Sequence, residues 1–552
     1  MSSVQSVSNS AGAFTTGCAP SATLVVLLLL LTACRPLQAP PSLPSPPAAL
    51  IQPTATLRPR PTATATLAPG KPSKPMPTAA ANALPAPTLF DLDWDERAPF
   101  RSGLIAAEQG ALEEQPGASV YHLDLHIDDS LTRVAGRQEV RYTNNEDVAL
   151  DEIALRLFPN LTGGSTVVSN LLVDGMPATP GYAQENSVLF VPLPEPLQPG
   201  EQTVIAMNFD VAVPTDVASS NYGTFAYLEG VLALAHPYPM IAVYDDEGWN
   251  TEISPPDGDV VYADASYYLV QVTAPADLTV VTSGVTLDQQ ADDGAQTLTI
   301  AAGPARDFYL AASPNYRVVS RQVGETTVNS YAPAGLEAGA QEAADVAAQA
   351  LQVFEERFGP YPYSELDLVS TATSALGVEY PGITALTDRI YGRTYERYLE
   401  STTAHEVAHQ WFYNMVGNDQ VDEPWLDEAL TQYATLLYFG DRYGAAGEQG
   451  FRESLEGRWE RTDGEKIPIG LPVAAYSEGG LYPGTYGSIV YGRGALFFEA
   501  LRDEMGQATF DAFLRDYVQA HRWGIATTAS LRALAEQHCD CDLEALFEEW
   551  VY

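Results

Sequence analysis

Two histidines and one glutamate, spaced so that they can meet at a point, constrain this 552-residue chain more than any other feature. His405 and His409 are the ends of the sequence His-Glu-x-x-His, and Glu428 follows after 18 intervening residues. On a helix, side chains four positions apart lie one above the other on the same face, so both imidazoles can reach one cation. The chain must therefore place a helix with both histidines against a second element that carries the glutamate.

Helix signals accompany both parts of this pattern. Residues 395–416 favour a first helix, which we expect Gly417 to end. A second helix is predicted over residues 424–439, because it starts with a proline that follows two acidic residues, and we expect Gly440 to end it. Two helices joined by a short turn would bring all three side chains together.

The set of ligands indicates a catalytic metal rather than a structural one. Two imidazoles and a carboxylate leave one coordination position open, which a catalytic zinc needs and a structural zinc does not. Glu406, inside the motif, is directed at a water molecule in that position. The alternative is a pair of solvated histidines on a polar helix face, but with only seven histidines in the chain a chance match that includes a correctly spaced glutamate would be rare. We predict one zinc ion per chain, held by His405, His409 and Glu428.

The spacing of apolar residues changes along the chain and predicts a multidomain α+β protein. Over residues 121–316, short alternating segments between Pro, Gly and Asn turn signals indicate a mostly antiparallel β domain. From about Pro333 the spacing becomes helical. The clearest strands are 121–127, 138–143 and 151–157; further helices are expected at 337–358, 493–505 and 508–521, and strand-like segments at 366–370 and 378–386. The predicted leader is residues 1–34, and the linker is residues 35–90. The β-rich domain is predicted over residues 91–316 and the mainly helical domain over residues 317–552.

The N-terminus has the character of a secretion signal. Residues 24–31 form an apolar run that is too short to span a bilayer stably and is typical of a signal-peptide core. The run ends shortly before Cys34, an arrangement that resembles a bacterial lipoprotein signal, in which the cysteine becomes the lipid-modified first residue. Residues 1–20 contain no Lys or Arg, unlike an ordinary signal, and a plain secretory signal is the alternative.

The segment after Cys34 is expected to be a tether. Residues 35–87 contain 15 prolines and no acidic residue, a composition that favours an extended, semi-rigid spacer without a core of its own. Together with the leader it predicts a membrane-anchored lipoprotein outside the cytoplasm, at the cell surface or in the periplasm, with the lipid at Cys34.

The charge of the chain excludes some partners. It carries 71 acidic and 28 basic side chains, a formal net charge of -43. Such a protein repels nucleic acid and anionic membrane surfaces, so neither is expected as a partner of the folded body. The acidity is interpreted as a means of keeping a surface protein soluble.

The remaining cysteines and histidines give no second metal site. Cys539 and Cys541 are one residue apart, so a bridge between them would close a small, strained ring, and free thiols are expected there. No further ligands of suitable spacing lie near them. The other histidines are interpreted as ordinary side chains: His122, His126, His236, His521 and His538.

The metal motif and its flanks resemble the gluzincin metallopeptidases, and the M1 aminopeptidase family in particular. Residues 376–380, Leu-Gly-Val-Glu-Tyr, are similar to that family's exopeptidase motif, and residues 491–496, Tyr-Gly-Arg-Gly-Ala-Leu, to the segment with its catalytic tyrosine. The resemblance extends over residues 121–552 and includes three further segments: 303–308, 358–363 and 547–550. It implies an N-terminal β domain followed by a thermolysin-like zinc metallopeptidase domain.

The resemblance also implies roles for individual residues. Glu379 would bind the free α-amine of the substrate, because a carboxylate pairs well with an ammonium group. Tyr491 would donate a hydrogen bond to the developing oxyanion, with Tyr486 a weaker candidate for the same neighbourhood. The sequence departs from the family pattern around Glu379, and Asp427 stands beside the ligand Glu428 where Asn is common. These departures concern the shape of the pocket more than the metal chemistry.

A zinc aminopeptidase acting on peptides outside the cytoplasm is the function that the resemblance implies. Three alternatives stay open: an endopeptidase with the same zinc site, a surface binding protein whose metal site is vestigial, and an epoxide hydrolase, for which the sequence gives no separate signal. The chain ends at Tyr552, so we expect no counterpart of the C-terminal helical domain of longer family members and a more open cleft that accepts longer peptides.

Overall fold

The computed structural model describes residues 89–552, apart from 218–221, 256–257, 259–260 and 393–397. These residues belong to one compact unit, Lys74–Tyr552. The leader, Cys34 and the proline-rich segment lie outside the described residues, so the signal, anchor and tether stay predictions. Within the described part of the chain, no helix has both the length and the apolar character that crossing a membrane requires.

The first half of the described chain is built from strands. In chain order they are β1 (Val120–Ile127), β2 (Arg133–Thr143), β3 (Leu150–Arg156), β4 (Ser165–Val173), β5 (Met176–Pro177), β6 (Gly181–Ala183), β7 (Val188–Leu197), β8 (Gln202–Ala212), β9 (Phe225–Leu228), β10 (Val231–Ala235), β11 (Met240–Ile241), β12 (Tyr244–Asp245), β13 (Gly248–Trp249), β14 (Ser266–Pro275), β15 (Thr279–Thr282), β16 (Val285–Asp292), β17 (Ala295–Ala305) and β18 (Tyr309–Ser313). Short 3₁₀ helices precede or connect them at Leu89–Asp91, Ala98–Gly103, Ala106–Glu113, Phe158–Asn160 and Gln184–Asn186.

These strands form three main sheets. An eight-stranded sheet has the order β16-β17-β14-β1-β2-β8-β4-β5, and two four-stranded sheets have the orders β11-β3-β7-β6 and β15-β18-β10-β9. Within them only β1 and β14 pair in parallel. The prediction of a mostly antiparallel β-rich half is confirmed.

Alternation of side chains explains why this half folds as sheets. In β8, every second side chain is buried, including Ile205, Met207, Phe209 and Val211, and the residues between them are more exposed. A strand with this period of two presents one apolar face, which must be covered by another sheet. These four side chains belong to one apolar core that the strands of this half share.

The second half combines a smaller sheet with helices. Its strands are β19 (Tyr316–Val323), β20 (Thr326–Pro333), β21 (Glu365–Thr371), β22 (Gly377–Tyr380) and β23 (Ile383–Thr387), in the order β19-β20-β21-β23-β22. Its helices are α1 (Glu337–Phe358), α2 (Asp388–Tyr391), α3 (Leu399–Ala408), α4 (Trp425–Tyr443), α5 (Ala445–Trp459), α6 (Val473–Tyr476), α7 (Tyr486–Ser488), α8 (Ala495–Met505), α9 (Gln507–His521), α10 (Thr528–Cys539) and α11 (Glu544–Trp550). A 3₁₀ turn spans Glu460–Thr462, and a π-helical segment, Ile489–Gly494, joins α7 to α8. The predicted order of a β-rich half followed by a mainly helical half is confirmed.

The first helix of the metal motif is shorter than predicted. α3 ends at Ala408, not near Gly417, and the chain then turns away at Tyr413, which has a φ of 123°. Arg306, a fully buried residue just after β17, donates hydrogen bonds to carbonyl groups of this turn, those of Tyr413, Asn414 and Met415. A Cβ at Gly417 would lie 2.3 Å from the guanidinium carbon of Arg306. Gly417 therefore makes room for a distant arginine instead of ending a helix.

Two smaller predictions are also wrong. The second motif helix, α4, continues past Gly440 to Tyr443 and ends at Gly444, which has a φ of 68°. Cys539 and Cys541 are not free thiols but are joined by a disulfide bond. Asp540 between them adopts a left-handed conformation, with a φ of 50°, at the end of α10, and this local turn brings the two sulfur atoms together.

Candidate metal centre

Four elements of the helical half meet at the predicted metal ligands. His405 and Glu406 lie in the last turn of α3, and His409 follows directly after it. Glu428 lies in the first turn of α4, where the positive end of the helix dipole favours a carboxylate. The edge strand β22 and the π-helical segment complete the site, and all three predicted ligands are buried.

The distances between the three ligand atoms fit a single zinc ion. Nε2 of His405 lies 3.2 Å from Nε2 of His409 and 3.2 Å from Oε2 of Glu428, and the third distance, from His409 to Glu428, is 3.7 Å. Zinc bonds of about 2.0–2.1 Å in a tetrahedral arrangement would separate neighbouring ligand atoms by ~3.3 Å. These three atoms thus form one face of a tetrahedron and leave its fourth corner open.

A hydrogen-bonded chain of side chains orients His409. Its Nδ1 donates to Oδ1 of Asp427 at 2.7 Å, so its Nε2 is free to bind metal. The amide nitrogen of Gln420 donates to the other oxygen of Asp427 and, at 3.2 Å, to Oε1 of Glu379. Nδ1 of His405, in contrast, has no hydrogen-bond partner among the described residues. Asp427 and Gln420 therefore link one metal ligand to the predicted amine-binding residue.

Close approach of β22 brings Glu406 and Glu379 beside the ligands. A Cβ at Gly377 would lie 2.3 Å from Oε1 of Glu406, so any larger residue there would displace the Glu406 carboxylate. One carboxylate oxygen of Glu379, one of Glu406 and a ring nitrogen of His409 lie within 4.8 Å of one another. Both glutamates predicted to act on the substrate are therefore at the metal site.

Tyr491 reaches the site from the opposite wall. It lies in the π-helical segment, a distortion of helices often found at functional sites. Its hydroxyl donates a hydrogen bond to Oε1 of Glu428, and its ring centre lies 5.9 Å from that of His405. The guanidinium of Arg458 lies 5.9 Å from the centre of the Tyr491 ring. The structure thus places Tyr491 against the metal ligand Glu428.

The electrostatics of the site favour a bound cation. Burial lowers the pKa of His405 well below its usual value, which keeps this imidazole neutral and able to ligate metal. Burial also acts to lower the pKa of His409, but the carboxylates of Glu379 and Asp427 outweigh it, and the pKa of His409 is raised well above its usual value. Carboxylates gathered in a buried site repel one another, and a bound divalent cation offsets that repulsion.

An open cleft of about 310 Å³ gives access to the metal site. The three ligands, Glu406, Glu379 and Tyr491 all line it. Arg458 of α5 lines it too, and burial lowers the pKa of its guanidinium. The cleft is large enough for part of a peptide to lie against the metal.

A comparison with known families bears on this arrangement. The family model described as the peptidase family M1 domain matches residues 342–550, which include every side chain named above at the metal centre. Residues 342–550 form a peptidase family M1 domain. The resemblance that the motifs indicated is confirmed by this match. Within the M1 domain, the His405, His409 and Glu428 set is that of a zinc site with an open coordination position.

The M1 domain is also similar to named aminopeptidases. Aminopeptidase RNPEPL1 of Mus musculus is 31% identical over 218 residues, which are 37% of this chain and 30% of that protein. Aminopeptidase B of Rattus norvegicus is 30% identical over 227 residues, 39% of this chain and 34% of that protein. The chain thus spans about a third of the length of the curated relatives that it matches.

Solved structures resemble a larger part of the chain. A mutant of an M1 zinc metallopeptidase from Deinococcus radiodurans has a TM-score of 0.62 at 23% identity, covering 79% of this chain and 94% of that chain. The mutant bound to a Tyr-Ser-Ala substrate has a TM-score of 0.61 at 24% identity, covering 79% and 93%. The β-rich half and the M1 domain together therefore have the fold of these M1 structures.

Three contributors to the site were missed by reasoning from the sequence. Asp427 was noticed only as a departure from the family pattern, and Gln420 and Arg458 were not considered. Asp427 carried a usable signal, since a carboxylate next to a metal ligand in the first turn of a helix can reach back to a histidine of the motif. Gln420 and Arg458 come from a loop and a helix that only the folded chain brings to the metal.

Proposed function

We propose that this protein is a zinc-dependent aminopeptidase that hydrolyses N-terminal residues from peptides. The position of Glu379 carries the proposal, because its carboxylate lies within 4.8 Å of both the Glu406 carboxylate and a metal-binding histidine. A buried carboxylate at that distance can pair with the ammonium group of a peptide whose first carbonyl lies at the metal. A peptide bond in the middle of a chain carries no positive charge that could pair with the Glu379 carboxylate.

Each side chain then has a defined task in hydrolysis. His405, His409 and Glu428 would hold a zinc ion, which would supply Lewis acidity and lower the pKa of the attacking water. Glu406 accepts the proton of that water and passes it to the leaving amine. Tyr491, once its hydroxyl turns from Glu428 towards the substrate, donates a hydrogen bond to the oxyanion.

The test compares a free amine with a blocked one. A short peptide and its N-acetylated form are incubated with the zinc-loaded protein, with and without a chelator. We expect release of the first residue from the free peptide only, and loss of this activity with the chelator. Rapid internal cleavage of the acetylated peptide would favour the endopeptidase. Bound zinc without turnover of either peptide would favour a vestigial site in a surface binding protein.

We further propose that the protein acts outside the cytoplasm, attached by a lipid at Cys34. The apolar run at 24–31, the cysteine shortly after it and the proline-rich segment support this location. Mass spectrometry of the mature N-terminus should find a lipid-modified Cys34. An unmodified Cys34, or cleavage at another position, would exclude the anchor and leave the peptidase unaffected.

A further inference from the structure

One arginine at the metal cleft differs from the other arginines of the protein. Arg458 lies in the last turn of α5, and its partly buried side chain lines the cleft together with the metal ligands. Its guanidinium makes neither a hydrogen bond nor an ion pair with any residue that the structure describes. Every other arginine in the described ranges makes at least one. Within this part of a chain that carries 71 acidic side chains, Arg458 is thus the one arginine left unpaired.

The packing of α5 fixes where this guanidinium lies. The helix passes so close to the π-helical segment that a Cβ at Gly492 would lie 2.9 Å from the Cβ of Arg458. The guanidinium carbon lies 5.9 Å from the centre of the Tyr491 ring, within the range of a cation–π contact. None of the guanidinium nitrogens is both buried and without a hydrogen bond, so these unbonded atoms stay open to solvent. A ligand in the cleft can therefore reach them.

A guanidinium in this position favours an anion. Burial lowers the pKa of Arg458, because the surrounding protein has displaced part of the water that would stabilise its charge. Neither a protein carboxylate nor a carbonyl group replaces that water among the described residues. The planar fork of an arginine fits a carboxylate through two parallel hydrogen bonds. A carboxylate that arrives with a ligand would therefore supply both the charge and the acceptors.

The acidic and the basic group of the cleft lie against different parts of the metal site. A carboxylate oxygen of Glu379 lies within 4.8 Å of a ring nitrogen of His409. Arg458 lies beside Tyr491, whose ring centre is 5.9 Å from that of His405. A peptide with its amine at Glu379 and its first carbonyl at the metal must continue into the rest of the cleft. Arg458 is the only arginine or lysine among the described residues that line it.

We infer that Arg458 binds a carboxylate of the substrate that lies one or two residues after the cleaved bond. Two kinds of peptide offer one there: a di- or tripeptide through its C-terminal carboxylate, and a longer peptide through an aspartate or glutamate at its second or third position. The inference rests on the proposed aminopeptidase function and names the substrate class of that site. A cleft of about 310 Å³ is at the lower end of the range for small-ligand sites, which suits a carboxylate this near the cleaved bond.

Peptides that differ in a single charge test the inference. Zinc-loaded wild-type protein and Arg458→Gln are compared on Ala-Ala and Ala-Ala-Ala, each as the free acid and as the C-terminal amide. Ala-Asp-Ala-amide with Ala-Asn-Ala-amide, and Ala-Ala-Asp-amide with Ala-Ala-Asn-amide, test a side-chain carboxylate in the same way. In the wild type, we expect kcat/KM about tenfold higher for the charged member, mainly through KM, because charged hydrogen bonds are the stronger ones. In Arg458→Gln the ratio should be about one.

The pairs that show the preference identify its source. A preference for the free acids alone assigns the C-terminal carboxylate, and one for the aspartate peptides alone assigns the side chain. No preference in any pair of the wild type would overturn the inference, and this comparison needs no variant. An equal fall of kcat for charged and neutral peptides in Arg458→Gln would also overturn it, because Arg458 would then only position Tyr491.

Two further variants separate the guanidinium from its charge. Arg458→Lys keeps the charge and loses the planar fork, so the preference should fall to about threefold. It keeps the question answerable if Arg458→Gln does not fold. Arg461→Gln removes an exposed charge from the following turn, Glu460–Thr462, and should keep the tenfold preference. A preference that neither substitution of Arg458 reduces would assign the carboxylate to another group.

The inference and the proposed function can fail separately. If the zinc-loaded wild-type protein cleaves no free peptide, the aminopeptidase proposal fails, while calorimetric titration with the same pairs still decides whether Arg458 binds a carboxylate. If the wild type cleaves the charged and the neutral member of every pair equally well, the assignment of Arg458 fails and the aminopeptidase stands.

Discussion

Buried polar side chains bond to different partners in the β-rich half and at the metal centre. In the β-rich half, Gln138 donates to the carbonyl of Pro239 and Gln296 to those of Pro275 and Leu278, so both amides satisfy backbone groups. At the metal centre, His409, Asp427, Gln420 and Glu379 bond to one another. Side chains that hydrogen-bond to the backbone stabilise a fold. Ionisable side chains that hydrogen-bond to one another keep their charges available for chemistry.

This contrast predicts that changes at the centre alter chemistry, and that changes in the β-rich half alter stability. Glu406→Gln should give the largest effect. Turnover should fall about 10³- to 10⁴-fold, because the amide cannot accept the proton of the attacking water. Bound zinc and the thermal midpoint should be unchanged, and Glu456→Gln, an exposed glutamate, serves as the control. Retained turnover would remove Glu406 from the mechanism.

Glu379→Gln should have the next largest effect and should depend on the substrate. We expect kcat/KM for free-amine peptides to fall about 100-fold, because the ammonium loses a charged partner. Any slow cleavage of N-acetylated peptides should be unaffected. An equal loss on both substrates would show that Glu379 does not bind the amine.

Asp427→Asn should weaken zinc binding about tenfold. Loss of a residue that orients a metal ligand costs 10- to 100-fold in affinity, and we expect the low end because the amide keeps one acceptor oxygen for His409. Competition with a chromogenic chelator measures the change, with Asp422→Asn, at an exposed residue of the loop before α4, as the control. Unchanged affinity would mean that the bond between Asp427 and His409 does not support the metal.

His122 in the β-rich half should influence stability and not activity. It is fully buried and stacks on Trp94, with ring centres 4.2 Å apart, and burial lowers its pKa to about 4 from the usual 6.5. As the pH falls below 6.5, the unfolded chain therefore binds a proton at His122 that the folded chain does not. The contribution of neutral His122 to the free energy of unfolding is complete above pH 6.5 and is lost as the pH falls. Between pH 7 and 5 the loss should be about 2 kcal/mol.

His122→Phe, which keeps the stacking and removes the titration, is the matched variant. Urea unfolding at pH 7 and pH 5 should show a smaller fall in stability for the variant than for the wild type, with equal kcat at pH 7. The same fall in both proteins would mean that His122 does not contribute to the pH dependence of folding.

Local sequence was sufficient where local interactions decide the structure. The helix predicted at 337–358 coincides with α1, because its buried Ala, Leu and Phe side chains follow the helical period and Gly359, with a φ of 110°, ends it. The ligand set of the metal centre was predictable for the same reason, since two of its members lie four residues apart in a single motif.

Distant interactions explain what the sequence did not predict. The early end of α3 involves Arg306, which lies more than 100 residues away from the carbonyls it binds. Gln420 reaches Glu379 across 41 positions, and Asp307 meets His236 across 71. No local pattern marks these residues, and only the folding of the chain brings them together.

Zinc-edge anomalous diffraction from crystals of the intact, zinc-loaded protein would locate the bound metal and its ligands. We expect one zinc ion per chain, bound at about 2.0–2.2 Å by Nε2 of His405, Nε2 of His409 and a carboxylate oxygen of Glu428, with solvent in a remaining position. A zinc ion at another place, or one from which Glu428 or either histidine is turned away, would contradict it.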